Sequence, residues 1–343
     1  MKLLTVGSDR KIFEEGSAVS RRQITYGESL DSLDIIVYAR KSLGLKTRKL
    51  STNITAYSTN SYSRLLYFID AFMIARSLNK PDIVSAQDPF ESGVAAYLIS
   101  RYFGTPLHLQ VHTDFLSPYF SSESLVNKIR VFIARFLIKR ADSLRVVSER
   151  IKRSIVTAGL KGEDVITVQP IFVDVDKIKN AETRTDLHKK YPQFNFIILM
   201  ASRLTIEKNI SLAIEAMREI VKKYSKIGLI IVGDGLERAG LKLRIKDLAL
   251  DESVVMEDWC DDLPSYYKTA DLFLMTSNYE GYGMAAVEAL AAGLPVAMTD
   301  VGCAGDVVVN GKNGLVFPVG DLSALVAVIE KSYQQFHVAG HSE

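Results

Sequence analysis

Strand-sized apolar runs alternate with helix-spaced segments twice over in this chain, and that alternation restricts it to a parallel, doubly wound α/β architecture. In the first half the runs are Lys2 to Val6, Ile35 to Val37, Ile83 to Ala86, Leu107 to Val111 and Leu144 to Val147. Between them lie helical patterns such as Leu65-Leu66, Ile69, Phe72-Met73 and Ala75-Arg76, then Val94 to Tyr102 closed by Gly104. After Pro170 the same order begins again. Phe196 to Met200 precedes a helix over Ile210 to Tyr224, Gly228 to Val232 precedes one near Gly240 to Leu250, and Val254 to Met256, Asp271 to Met275 and Val296 to Thr299 follow. The reading is two Rossmann-like domains, residues 1–170 and 171–343, joined in the charged stretch Pro170 to Glu182. A length of 343 residues supports two separate cores. Ligands of open parallel sheets bind beyond the carboxyl ends of the strands, so two such domains face to face are expected to form a ligand cleft.

Charge and cysteine content exclude several classes. The 42 basic and 40 acidic residues leave a net charge of +2, too balanced for a dedicated nucleic-acid binder. The balance is uneven along the chain: Met1 to Pro170 carries 24 Lys and Arg against 16 Asp and Glu, whereas the remainder carries 18 against 24. A basic first half suits an anionic neighbour. Cys260 and Cys303 are too few for a disulfide framework or a four-thiolate metal site. The N-terminus does not read as a signal peptide, and no apolar run approaches the ~18 residues of a membrane span. The reducing cytoplasm is the expected compartment.

The segment from Ser277 to Pro295, SNYEGYGMAAVEALAAGLP, reads as a glycine-rich turn after a strand, then a helix from about Met284 to Ala292. Gly281 and Gly283 allow backbone N–H groups to approach a ligand closely, and the helix aims its positive end at the same place, which suits a phosphate or a sugar hydroxyl. Glu280 precedes the helix, and Glu288 projects from its body ~12 Å further along. Glu288 stands among alanine, valine and leucine, where a carboxylate needs a partner.

A second informative segment is Ser202 to Asn209, directly after the strand Phe196 to Met200. It places Arg203 and Lys208 in one strand-to-helix loop, as stabilisation of a diphosphate leaving group without a metal requires. A solvated loop pairing with Glu207 is the alternative for these residues. The turn Gly233-Asp234-Gly235 is a further strand-end glycine pair, weak as a dinucleotide fingerprint because the third glycine is Gly240.

The Arg203/Lys208 loop, the Gly233 turn, the glutamates Glu280 and Glu288 and the following Thr299-Asp300-Val301-Gly302 together resemble the retaining glycosyltransferases of family 4, which have the two-domain GT-B fold. The resemblance covers roughly residues 196–320. The first half is similar more loosely, through Gln110 to Asp114, Val146-Val147-Ser148 and the hinge-like Gln169-Pro170 to Val173-Asp174. The resemblance implies that Arg203 and Lys208 hold a donor diphosphate and that Glu288 binds the ribose hydroxyls. It implies that Glu280, with the backbone of Gly283, Met284 and Ala285, orients the donor sugar, to which Gly233 adds a donor-site glycine. His112 would approach the sugar from the other domain, Asp114 is a candidate for the acceptor hydroxyl, and Asp306 stands where the family often has Glu. The family also has a double-glycine loop after the first strand. Here Gly7-Ser8-Asp9-Arg10 is followed by Gly16-Ser17, and Gly16 is the expected equivalent. The fold normally ends in a helix crossing back to the first domain, and 13 residues follow Glu330.

The implied activity is retaining transfer of a sugar from a UDP- or GDP-sugar to an acceptor hydroxyl, with front-face attack, no protein nucleophile, no metal and no other cofactor. Asp174-Val175-Asp176 resembles a metal signature at the hinge, while His108, His112, His188, His337 and His341 show no ligand spacing. The stretch Lys128 to Arg140 interleaves cations with bulky apolar groups at helical spacing. It fits a helix lying on an anionic membrane, where a lipid-linked acceptor would be found, and equally a core helix with a basic solvated face. No nucleic-acid motif accompanies it. Two other functions suit the same scaffold, a nucleotide-sugar epimerase and a non-catalytic nucleotide-sugar binding protein.

Overall fold

The computed structural model describes residues 1–338, which divide into two units at Gln169/Pro170. The first unit carries an eight-stranded sheet: β1 (Lys2–Gly7), β2 (Ser32–Val37), β3 (Arg48–Lys49), β4 (Ile54–Ser58), β5 (Ile83–Ala86), β6 (Leu107–Val111), β7 (Ser143–Val146) and β8 (Ile166–Val168). Their order is β3-β4-β2-β1-β5-β6-β7-β8, and every pairing is parallel except β3 with β4. The chain runs outward from β1 to β2 and β4, then returns to β5 on the far side of β1. The connections from β4 through to β7 therefore lie on one face by the right-handed crossover rule. Their helices Tyr67–Arg76, Glu91–Phe103 and Leu125–Ile138 pack side by side there.

The second unit carries β9 (Phe196–Ala201), β10 (Ile227–Val232), β11 (Val254–Glu257), β12 (Leu272–Met275), β13 (Val296–Thr299) and β14 (Gly314–Phe317), ordered β11-β10-β9-β12-β13-β14 and wholly parallel. β9 and β10 are buried along their full length, which is why their sequence is an unbroken apolar run rather than an alternating one. Helix Ile210–Ile220 covers one face with Ile210, Ala213, Ile214 and Met217 at helical spacing. Helix Leu322–Val338 packs beside it, burying Leu325 and Ile329 and setting Tyr333 and Phe336 edge-on to Phe196 at 5.5 and 5.3 Å between ring centres. Up to Val338 this last helix belongs to the core of the second unit. The expected return to the first domain, and His341, concern residues outside those described.

Both sheets reverse their strand order once, at β1/β5 and at β9/β12, and such switch points are where open α/β sheets leave a crevice for ligands.

Candidate functional site

Four loops meet at the carboxyl ends of β9, β10, β12 and β13, and glycine makes their contact possible. Gly233 has φ +152°, and a Cβ there would lie 1.9 Å from the Ser202 carbonyl oxygen; one at Gly235 would lie 2.2 Å from that of Leu204. The two loops are then tied by Leu204 N–H to Asp234 O at 2.9 Å and Glu237 N–H to Leu204 O at 3.0 Å. The Gly233 N–H is itself spent on Glu257 O at 3.2 Å. In this structure Gly233 supports the loop that carries Arg203, with its bare face against protein backbone.

At the β9/β12 switch point stands an ion pair. Lys208 Nζ lies 2.5 Å from Glu280 Oε1, and the two side chains are only 15% and 13% exposed. Ser277 Oγ donates to the same oxygen at 2.9 Å. The backbone beneath is pinned by Thr276 Oγ1, which donates to Lys208 O and Asn209 O at 3.0 Å each, and by Asn209 Nδ2 to Asn278 Oδ1 at 3.0 Å. Asn209 takes φ +45° to turn from this loop into the Ile210–Ile220 helix. Residues from two loops, distant in sequence, thus place a cation and a carboxylate in one partly desolvated spot.

Gly283, with φ +91°, is the N-cap of helix Met284–Ala291 and offers no side chain to its first turn. The N-cap residue therefore gives the first turn no side-chain bond, and the Met284 and Ala285 amides sit in the positive end of the helix. On the body of that helix Glu288 is partly buried and accepts from Tyr267 OH at 3.0 Å. Burial pushes the Glu288 carboxyl above its ordinary range, and the Tyr267 hydrogen bond opposes the shift. Arg203 extends into solvent, 77% exposed, with Glu207 at 3.3 Å. The structure thus brings Lys208 and Glu280 into contact at the Gly283 turn. It leaves Arg203 on the rim and gives Glu288 its own partner one element away.

The contacts of Tyr267, Ser277 and Asn278 are not legible in the sequence. A hydroxyl and an amide just before Glu280 were visible in Ser277-Asn278, but Tyr267 is a helix residue whose neighbour only the fold reveals.

In the first unit His112 follows β6, and its Nε2 donates to Gln110 Oε1 at 3.1 Å. Burial first, then the Arg145 and Arg22 guanidinium groups, lower its pKa to about 4. The ring is neutral at pH 7. Because the unfolded ring titrates at about 6.5, the unfolded chain binds the extra proton between about pH 6.5 and 4, and stability falls as pH drops through that window. His112→Gln is expected to remove this component: the unfolding free energy of the wild type should fall relative to that of the variant by at most about 3 kcal/mol between pH 7 and 4 in parallel urea titrations. A constant difference across that range would refute the assignment.

Burial also raises the Asp114 pKa, against Arg150 and the backbone amides of Leu116 and Ser117. Gly16, at φ +64°, precedes helix Ala18–Gly27, whose terminus Ser17 caps by accepting from Ser20 N–H at 3.0 Å. Asp174 of the Asp-x-Asp tripeptide is likewise a cap, accepting from Lys177 N–H at 3.0 Å. Asp306 lies in the loop after β13, its N–H donating to Cys303 O at 3.1 Å. Among the described residues no group of three His, Cys, Asp or Glu side chains is placed to hold a metal ion.

Comparison with known proteins bears on both units. Residues 31–177 match the family model described as Glycosyltransferase Family 4, and residues 184–335 match that described as Glycosyl transferases group 1. The capsular polysaccharide biosynthesis glycosyltransferase CapM of Staphylococcus aureus is 30% identical over 214 residues, 60% of this chain and 54% of that protein. The match spans between 49% and 64% of the length of three such curated relatives. Among solved structures, sucrose-phosphate synthase from Thermosynechococcus elongatus aligns with a TM-score of 0.79 at 18% identity, over 97% of this chain and 90% of that one. HepE from Anabaena, in complex with UDP-glucose, aligns with a TM-score of 0.75 at 19% identity, over 98% and 91%. The two parallel-sheet units have the GT-B fold.

Proposed function

The chain belongs to the group 1, family 4 glycosyltransferases, and from that premise we propose that it moves a sugar from a UDP- or GDP-sugar to an acceptor hydroxyl in the building of a glycan or glycolipid. The observation that carries this reading is the Lys208–Glu280 pair at the β9/β12 switch point, in front of a helix whose N-cap is a glycine with no side chain to offer. Departure of a nucleoside diphosphate develops negative charge on its phosphates. Lys208, Arg203 and the Met284 and Ala285 amides supply positive charge without a metal, which supports metal-independent transfer. Glu280 would orient the donor sugar through Oε2 while Oε1 fixes Lys208. The stereochemical course is retention: the acceptor oxygen bonds to the anomeric carbon on the face the diphosphate leaves, and a leaving phosphate oxygen takes the acceptor proton. A lipid-linked acceptor would bring the chain to a membrane surface, with the Lys128 to Arg140 segment as the contact.

Incubation with a panel of UDP-, GDP- and ADP-sugars, with and without sugar or lipid acceptors, tests the proposal. Slow release of free nucleoside diphosphate without acceptor, accelerated by acceptor, is expected. An epimerised nucleotide sugar, or tight donor binding with no turnover under any condition, would overturn it. Glu288→Ala should weaken nucleotide affinity roughly tenfold or more, the scale of a lost hydrogen bond to a charged group, while Tyr267→Phe, which frees Glu288 from its partner, should have a smaller effect. Isothermal titration with UDP and GDP reads both, and unchanged affinity in Glu288→Ala would remove that residue from the nucleotide site.

A further inference from the structure

We propose that the outer face of three neighbouring helices of the first unit, Tyr67–Arg76, Glu91–Phe103 and Leu125–Ile138, docks on an anionic lipid bilayer. The inference deepens the membrane contact named above and rests on that reading for its purpose, since a lipid-linked acceptor presents its hydroxyl at a bilayer surface.

The Leu125–Ile138 helix buries Asn127, Ala134, Leu137 and Ile138, and a core helix would hide its other apolar groups too. Instead Leu125, Ile129, Phe132 and Phe136, spaced four, three and four apart, form an exposed stripe along it, with Leu125 and Phe132 each 75% exposed. Cations flank the stripe: Lys128, Arg135, Lys139 and Arg140 are all exposed, and no acidic residue occurs from Leu125 to Ala141. Such long cationic side chains lay their stems along apolar surface and extend their charge to headgroups.

The apolar surface then continues across the neighbouring helices. Tyr97 meets Phe136 edge-on at 5.8 Å, joining the Glu91–Phe103 helix to the stripe. Tyr102 meets Phe72 edge-on at 5.5 Å, joining that helix to Tyr67–Arg76. That last helix exposes Phe68, Ile69 and Met73, with Leu65 just before it 82% exposed. Arginines cover this surface as well: the Arg140 guanidinium lies 3.6 Å from the Phe136 ring centre and that of Arg76 5.5 Å from Tyr102. The acidic Glu91 is already paired with Arg130 at 2.8 Å. A continuous exposed apolar surface of this kind marks an interaction face.

Charge decides the occupant. A second copy docking by the same face would set these cations against themselves, because a two-fold interface is self-complementary. An anionic bilayer satisfies the cations and buries the stripe together. Among the described residues no helix is long and apolar enough to cross a membrane, and the proposed contact is with the bilayer surface.

The test sediments the full chain with vesicles of phosphatidylcholine alone and of phosphatidylcholine mixed with phosphatidylglycerol, at low and high salt. Binding to the mixed vesicles is expected, weakened but not abolished by salt because both charge and insertion contribute. I129D/F132D should lower the vesicle partition coefficient by about tenfold or more. Removing cations one at a time, Lys128→Gln, Arg135→Gln and Lys139→Gln, should lower it roughly fivefold each and flatten its salt dependence. The substituted side chains are exposed, and unchanged melting temperatures check that the variants fold. No binding to anionic vesicles, equal binding by I129D/F132D, or an apolar face that instead holds two copies together in light scattering would overturn the proposal. Acceptor-free donor hydrolysis, measured on the same variants without vesicles, keeps the questions apart. If it persists while vesicle binding fails, only the docking face is refuted; if no donor is turned over, the glycosyltransferase reading fails whatever the vesicles show.

Discussion

Lys208→Ala is expected to lower the rate of sugar transfer by roughly 10²–10³-fold, the scale seen when one preorganised donor is removed from a developing negative charge. The same substitution strips Glu280 of its cation in a spot where both side chains are largely buried, so a loss of stability of about 3 kcal/mol should accompany it. The two effects are separable. K208A/E280A leaves no lone carboxylate and should regain much of the stability while recovering none of the rate. Steady-state kinetics and urea unfolding on the two single variants and the double variant form the cycle. A Lys208→Ala enzyme that retains its turnover within a few-fold would end the assignment of Lys208 to the leaving diphosphate, even if its stability fell as expected.

Gly233→Ala should have the largest structural effect of any single methyl addition at the site. The new Cβ would lie 1.9 Å from the Ser202 carbonyl oxygen, and the obstructing atom is backbone already hydrogen-bonded into the β10 turn, with Ser202 N–H on Val232 O at 3.1 Å. A φ of +152° adds strain for any residue with a side chain. A loss of about 3 kcal/mol or more in urea-derived stability follows, together with weaker nucleotide binding as the Arg203 loop is forced off its support. Gly240→Ala is the control, since its added methyl meets nothing within 4 Å and the residue lies within helix Arg238–Asp247. Equal stability of the two variants would show that the Ser202 loop yields without cost.

The architecture was legible because its strongest signals are uninterrupted. Phe196–Ala201 and Ile227–Val232 are central strands covered on both faces, and burial of every residue writes itself into the sequence as an apolar run. Peripheral strands escaped notice for the complementary reason. In Ile54–Ser58 only alternate residues are buried, and Gly314–Phe317 at the edge buries Phe317 alone. The expected helix from Ile210 to Tyr224 ends at Ile220, and the one near Gly240 to Leu250 spans Arg238–Asp247, because hydrophobic spacing locates a helix better than its ends. At the site, glycine turns and charged residue types were readable, since strand–loop–helix order places them at a strand end. Their partners were not. Lys208 and Glu280 stand 72 positions apart, and Tyr267 stands 21 before Glu288, so these contacts arise only from the order in which the strands assemble. Likewise Gly233 read as ligand-facing, whereas its empty side is filled by a neighbouring carbonyl that no local pattern announces.

The Glu280 carboxylate on Lys208 gives the donor-free protein a built-in counterion. An ambient phosphate ion must compete with an anion tethered within bonding distance, whose local concentration no dissolved rival approaches. On the proposed reading a nucleoside diphosphate would join Lys208 without displacing Glu280, bringing more charge and, through its sugars, attachment points that a lone phosphate lacks. Where the Glu280 pair is intact, a lone phosphate is therefore disfavoured at Lys208.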